Sequence, residues 1–227
     1  MVVAGIRAAI ENGELKSGDR LEPERELATR FGVSRPSVRS GLKTLAGMGI
    51  VQIRRGAGTF ITGGPPTLDA EPLTLMAALH GISRKQMFEA RLSLEVSVAG
   101  FAAERATAEH LVAIGDETVA MFASLDDPDA FLRHDIFFHR AVAAAADNPV
   151  MSALVEMVSS MFQKVRQHSI RWANDLNEAA AEHRAIYQAI RAHDPDRARR
   201  AMLDHLRRAE ATQIKEPAHA PEEAPQG

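Results

Sequence analysis

Residues 134–139 read HDIFFH, two histidines and an aspartate wrapped around Ile136, Phe137 and Phe138. On a helix, Asp135 and His139 are four apart and stack on one face one turn from each other, while His134 points elsewhere. A carboxylate and an imidazole both suit borderline divalent metals, but two ligands do not hold an ion. By itself the segment fits a catalytic site, a sensor site or the polar edge of an amphipathic helix.

Further donors stand near the C-terminus, in EHRAIYQAIRAHDPDRARRAMLDHLRRA. Asp194 and Pro195 close one helix and cap the next, which predicts an antiparallel helical hairpin. His183 lies ten residues before His193 at the turn, and His205 lies ten after Pro195. At a rise of ~1.5 Å per residue, both sit about 15 Å from the turn, at one height. The facing residues Ile186, Ile190, Ala198, Ala201 and Met202 predict that both rings point inward. A lone histidine on an amphipathic helix is more often a satisfied interior or edge residue than a ligand. His80, His110, His134, His168, His193 and His219 take that plainer reading.

The elements that would carry these residues are helical. From about Leu73 every segment shows 3.6-residue periodicity and none reads as a strand. Breaks fall at Gly81, near Thr107, at residues 126–129 and 147–149, near Asn174 and at 193–196, with Asn148 placed to cap a helix. The result is a bundle of six or seven helices over 73–214. A Gly- and Pro-rich stretch, TGGPPTLDAEP, has no periodicity, and residues 63–72 read as a linker. The end of the chain, 215–227, is rich in Pro and Glu and reads as a disordered tail.

Residues 1–62 are organised differently. Val3, Ile6, Ala9 and Ile10 mark a first helix ended by Gly13; Pro23 can open a second, PERELATRF, ended by Gly32. Ser34 is a natural N-cap for a third helix, with Pro36 in its first turn and Gly49 past its end. IVQI and TFI flank RRGAG and read as a hairpin with a glycine-rich tip. Three helices and a basic hairpin form a winged helix-turn-helix pattern. A helix entering the major groove needs polar and basic side chains at its start. Ser34, Arg35, Ser37 and Arg39 supply them, with Val38, Leu42 and Leu45 left for the core. The plainer alternative for either arginine alone is a solvated face; the ordered constellation argues for DNA.

Charge supports that division. The chain carries a net −3, yet residues 1–62 hold ten Lys/Arg against six Asp/Glu, and the remainder 17 against 24. A basic head on an acidic body is expected where only the head meets phosphate. Hydrophobic content of 45% and charged content of 25% are ordinary for a globular protein. Without cysteine there is no thiolate ligand or nucleophile. No apolar run nears a membrane span and no signal peptide opens the chain, so a cytoplasmic location is expected.

The stretch from Gly13 to Ile61, GELKSGDRLEPERELATRFGVSRPSVRSGLKTLAGMGIVQIRRGAGTFI, resembles the N-terminal domain of the GntR family of bacterial transcription regulators. The resemblance implies that Arg25, Arg35 and Arg39 contact DNA, with Gly58 at the wing tip. The chain departs from the family pattern at three positions: Glu22 and Ser17 stand where proline is usual, and Gly41 replaces an alanine inside the recognition helix. That glycine costs roughly 1 kcal/mol in helix propensity. The first helix begins almost at Met1, so a few preceding residues are expected.

The body is similar to the all-helical FCD effector domain of the FadR-type subfamily. The segments FEARLSLEVSVAGFAAERAT, FLRHDIFFHRAVAAAADNPVM and EHRAIYQAIRAHDPDRARRAMLDHL carry the likeness. It implies one divalent cation held by Asp135, His139, His183 and His205. A set of one carboxylate and three imidazoles discriminates poorly among Zn, Mn, Ni and Fe. Four protein ligands on an octahedral ion leave positions open, which suits a small carboxylate held jointly by the metal and a nearby cation. Arg91 matches a family arginine that faces the effector, or else is a surface partner of Glu95 four residues on; Arg166 is a second candidate.

The fold class expected is therefore mostly α, a winged helix-turn-helix followed by an FCD-type bundle. The function expected is a ligand-responsive regulator, more a repressor than an activator, reading a palindromic operator as a homodimer. Two alternatives use the same site: a metal sensor without organic effector, and a metal-dependent hydrolase. No residue stands out as a general base and no nucleophile motif is present, so an enzyme is not expected.

Overall fold

The helix boundaries follow from local chemistry. The computed structural model describes residues 1–63, 68, 70–169 and 176–214, without the side chains of 163–169 and 212–214. Two compact units emerge, Met1–Thr67 and Leu68–Gly227.

In the first unit α1 (Val2–Glu11) buries Val2, Ile6 and Ala9. The inward residue near its start is Val2 rather than Val3, since the stripe runs 2, 6, 9. Helix α2 (Glu24–Phe31) follows Pro23, which occupies the N-cap, and ends on Gly32 in the left-handed region at φ 62°. Helix α3 (Arg35–Gly47) is capped by Ser34, whose hydroxyl accepts from the Ser37 N–H at 3.3 Å. Val38, Leu42 and Leu45 are buried against Val2, Ile6, Leu27 and Val51.

Strands β1 (Val51–Arg54) and β2 (Gly58–Ile61) pair antiparallel with Val51 opposite Ile61 and Arg54 opposite Gly58. The turn is therefore residues 55–57, and Gly58, expected at the tip, is the first residue of β2. Its φ is +116°, and a Cβ there would lie 3.0 Å from Arg20 Nε. The other edge of β2 is covered by residues 19–21: Leu21 N–H donates to Thr59 O and Ile61 N–H to Asp19 O.

The second unit holds seven described helices: α4 (Glu71–Leu79), α5 (Arg84–Arg105), α6 (Ala108–Ala123), α7 (Pro128–Ala145), α8 (Pro149–Ser169), α9 (Leu176–Arg191) and α10 (Pro195–Ile214). Helix α4 thus begins inside the stretch read as linker; residues 64–67 and 69, and the tail 215–227, lie outside the described residues. Capping residues set most of the starts. Ser83 and Gln86 form a reciprocal capping box on α5, and Asp127, Asn148 and Asp194 cap α7, α8 and α10 through their side chains. Helix α5 packs against α7, α8, α9 and α10. Its inward stripe Phe88, Arg91, Glu95, Val98 and Ala102 runs through the middle of the core, so two charged residues occupy core positions.

The mostly α architecture expected from periodicity is what the chain adopts, ten described helices and one two-stranded sheet. The glycine inside α3 has a packing cause. A Cβ on Gly41 would sit 2.8 Å from Val2 Cβ, closer than real contacts allow. Gly41→Ala is therefore expected to lower stability by about 1 kcal/mol despite its better helix propensity. Combined with Val2→Gly, which removes the opposing Cβ and Cγ1, the change should cost less than the sum of the two single variants; a rise in the urea midpoint of Gly41→Ala alone would contradict the packing argument.

Candidate metal centre and nucleic-acid face

Asp135 and His139 project from α7 on one face, and the α9–α10 hairpin brings His183 and His205 opposite them. The His183 and His205 ring centroids are 4.2 Å apart, and His139 lies 5.6 and 5.4 Å from them. One donor atom from each of the four residues lies within 4.8 Å of all the others, and all four residues are buried. The group can hold a metal ion.

Each imidazole turns its Nδ1 toward an acceptor, and the contact is an aligned hydrogen bond at His183 and His205 but a close approach only at His139. His139 Nδ1 lies 2.5 Å from Glu95 Oε2, His183 Nδ1 2.7 Å from the Ala179 carbonyl, and His205 Nδ1 3.0 Å from Glu182 Oε2. A nitrogen facing a carbonyl must carry the proton, so a neutral His183 presents an Nε2 lone pair to the centre. That Nε2 is 3.0 Å from Asp135 Oδ1, and the His139 Nε2 is 3.7 Å from the same oxygen. Neither Nε2 makes an aligned hydrogen bond, and both are buried. Lone pairs converging on a carboxylate are unfavourable until a cation sits among them, and each unsatisfied buried group costs about 1–3 kcal/mol. The donor set therefore fits a divalent ion.

Charge is arranged to the same end. Burial, with the neighbouring cations, pushes His205 well below the usual histidine range, which keeps a lone pair available. Burial raises Asp135, but His183 and His139, when they carry a proton in place of an ion, together with Arg91 outweigh it and leave the carboxyl below its ordinary value. At Glu95 burial again opposes ionisation, and Arg91 and His139 bring the carboxyl down to about 2. Glu182 goes the other way: burial raises it against the pull of Arg208, whose Nη1 is 2.5 Å from Glu182 Oε1.

Arg91 is not a surface partner. It is 1% exposed, donates from Nε to Glu95 Oε1 at 2.6 Å, and lies near the rings of both Phe88 and Phe162. Its Nη1 is buried without a hydrogen-bond partner among the described residues. The Arg166 side chain lies outside them, as do those of His168 and His219. The plainer reading of other histidines has partners behind it: His134 on Glu117, His193 on the Ala103 carbonyl, His110 in the α6 capping box. Glu95 and Glu182 escaped sequence reasoning as orienting groups. Glu95 was visible only as a mate of Arg91, and Glu182 only as the residue before His183.

On the first unit, Arg25, Arg35 and Arg39 are exposed on α2 and α3. Arg39 donates from Nε and Nη2 to the two oxygens of Glu24, at 3.1 and 2.8 Å, and Arg35 Nη2 stands 4.0 Å from Glu24 Oε2. That hydrogen-bonded pairing holds the Glu24 carboxyl below its ordinary value. The hydroxyls of Ser34 and Ser37 lie 2.9 Å apart and close the N-cap of α3.

Comparison with known proteins meets this geometry from outside. Residues 1–61 match the model of bacterial regulatory proteins of the gntR family, and residues 86–208 match the FCD domain. The HTH-type transcriptional regulator LutR of Bacillus subtilis is 34% identical over 206 residues, covering 88% of this chain and 94% of that protein. The HTH-type transcriptional repressor NanR of Klebsiella aerogenes is 35% identical over 225 residues, covering 93% and 84%. The solved structure of Streptococcus agalactiae GntR matches with a TM-score of 0.71 at 26% identity, over 93% of this chain and 98% of that one.

The buried Arg91–Glu95 pair leads to a stability prediction. Arg91→Leu leaves a buried carboxylate facing one imidazole and is expected to lower unfolding free energy by about 3–5 kcal/mol. The double change Arg91→Leu/Glu95→Leu should recover part of it. Urea unfolding measures both, and a single variant within 1 kcal/mol of wild type would contradict the buried pairing.

Proposed function

This chain belongs to the GntR family of bacterial transcription regulators, in the FadR-type branch with an FCD domain, and on that premise we propose that it is a repressor whose grip on DNA is set by a small carboxylic acid bound beside a divalent cation. Its relatives are transcription regulators rather than enzymes. No helix among the described residues is long and apolar enough to cross a membrane. We place it in the cytoplasm as a homodimer, with two winged heads reading the halves of a palindromic operator. Arg25, Arg35 and Arg39 are its DNA-contacting side chains. Ser34 and Ser37 hold the start of α3 in place, and Gly58 lets the wing backbone come close to phosphate.

Asp135, His139, His183 and His205 would hold the ion. Bound there, the cation supplies a Lewis-acidic point to which an anionic ligand is drawn. The chain's own residues do the rest. Glu95, Glu182 and the Ala179 carbonyl fix the three ring orientations, Phe138 packs edge-on against His139 and His183, and Arg91 offers its Nη1 to a carboxylate. The observation that carries this reading is the juxtaposition of a buried guanidinium donor that lacks a partner among the described residues with three imidazoles turned to one point. An acid bound more tightly in one state of the dimer than in the other shifts the DNA-binding equilibrium by that difference alone.

The test is thermal unfolding of the metal-loaded protein against a panel of small carboxylic acids, with and without EDTA. One acid class should raise the melting temperature, with the gain lost in EDTA and with Arg91→Leu. EDTA lowering it with no acid effect would support the metal-sensor alternative instead. Elemental analysis gives an independent check. His139→Ala or His205→Ala should retain less than about a tenth of the wild-type metal, whereas Glu182→Gln should keep the ion but bind it roughly 10- to 100-fold more weakly. Wild-type metal content in either histidine variant would sink the site.

A further inference from the structure

We propose that Glu24 is a specificity-determining residue for DNA: it holds the Arg39 guanidinium side-on and aims the terminal edge of that fork at a guanine. The proposal rests on the reading of α3 as the DNA-recognition helix.

The donor inventory makes the case. A guanidinium has five N–H groups. Glu24 takes the Nε–H and one Nη2–H, through Oε1 at 3.1 Å and Oε2 at 2.8 Å. Three donors remain, the second on Nη2 and both on Nη1, and two of them, one on each Nη, point along the terminal edge. That edge is the one that meets guanine O6 and N7 as a pair in the major groove. Without Glu24 the long side chain samples many rotamers and must be ordered at the moment of binding; with it, the ordering is done beforehand.

Three observations single out Arg39. Arg35 reaches the same carboxylate only at 4.0 Å, so it stays loosely held and able to find phosphate or a second base. Ser34 and Ser37 are engaged with each other at the N-cap, which leaves the arginines as the long donors at this end of the helix. Glu24 sits in the first turn of α2, a different helix, so it fixes Arg39 against the body of the head rather than along α3 itself. An exposed ion pair contributes little to folding: the side chains of Arg39 and Glu24 are 58% and 31% exposed. A purely structural role would thus leave base preference alone. A carboxylate that merely blocked Arg39 would have the opposite sign, since its removal would tighten DNA binding.

The experiment uses the full chain and a pool of duplexes with a randomised core, sequencing the bound fraction for wild type, Arg39→Lys, Glu24→Gln and Glu24→Asp. Circular dichroism confirms that each variant is folded. Glu24→Asp keeps the charge but shortens the reach, so it separates aim from charge. Wild type is expected to enrich a motif with a guanine at a position that Arg39→Lys no longer specifies. Both Glu24 variants should lose roughly 5- to 100-fold of the preference at that same position, with the other positions within about twofold. Unchanged guanine preference in the Glu24 variants overturns the proposal. So does tighter binding of the selected sequence by Glu24→Gln, or an Arg39→Lys profile identical to wild type. If wild type enriches no sequence at all, the reading of α3 as a recognition helix falls, and this proposal with it.

Discussion

A line of buried charge, Arg91 to Glu95 to His139, runs across the interface between α5 and α7, and the body of the protein is organised around it. Two formal charges at core positions of the central helix are tolerable only because they meet each other at 2.6 Å, with the His139 imidazole 2.5 Å from Glu95 as well. The surrounding helix positions are correspondingly small and apolar. Val98, Ala99, Ala102 and Ala103 on α5 and Val142, Ala143, Ala145 and Ala146 at the end of α7 belong to the same buried cluster. The residue that fixes the imidazole is also the residue that neutralises the guanidinium.

Much of this was readable in the chain. The turn at Asp194 and Pro195 fixes the register of the α9–α10 hairpin, and counting residues from that turn is enough to bring His183 and His205 level. The one-turn spacing of Asp135 and His139 puts them on a common face for the same reason. Capping residues likewise announced themselves: Ser34, Asn148 and Asp194 each stand where a helix must begin. These features depend on intervals within one or two helices, which the sequence states directly.

The rest depends on partners far away in the chain. Glu95 is 44 positions from His139, and Glu182 is 23 from His205. Nothing local distinguishes them from solvated glutamates, because only helix packing sets their surroundings. Arg91 has the same ambiguity, since an i,i+4 pair reads alike on a surface and in a core. Gly41 looks like a weakness in a recognition helix until Val2, on another helix, is seen to occupy the space its side chain would need. In each case the missing information is a contact between elements, not a property of either one.

The Ala179 carbonyl that accepts from His183 belongs to the backbone of the same helix, one turn back. The other two imidazoles are oriented by glutamate side chains. The three imidazoles are therefore unequal under mutation. No side-chain replacement can erase the acceptor that sets the tautomer of His183, whereas single-codon changes at Glu95 or Glu182 can reset the basicity of His139 or His205. The cradle has one hard-wired arm and two adjustable ones. On the proposed reading of the site, descendants of this chain can retune its preference among ions while Asp135, His139, His183 and His205 all stay in place.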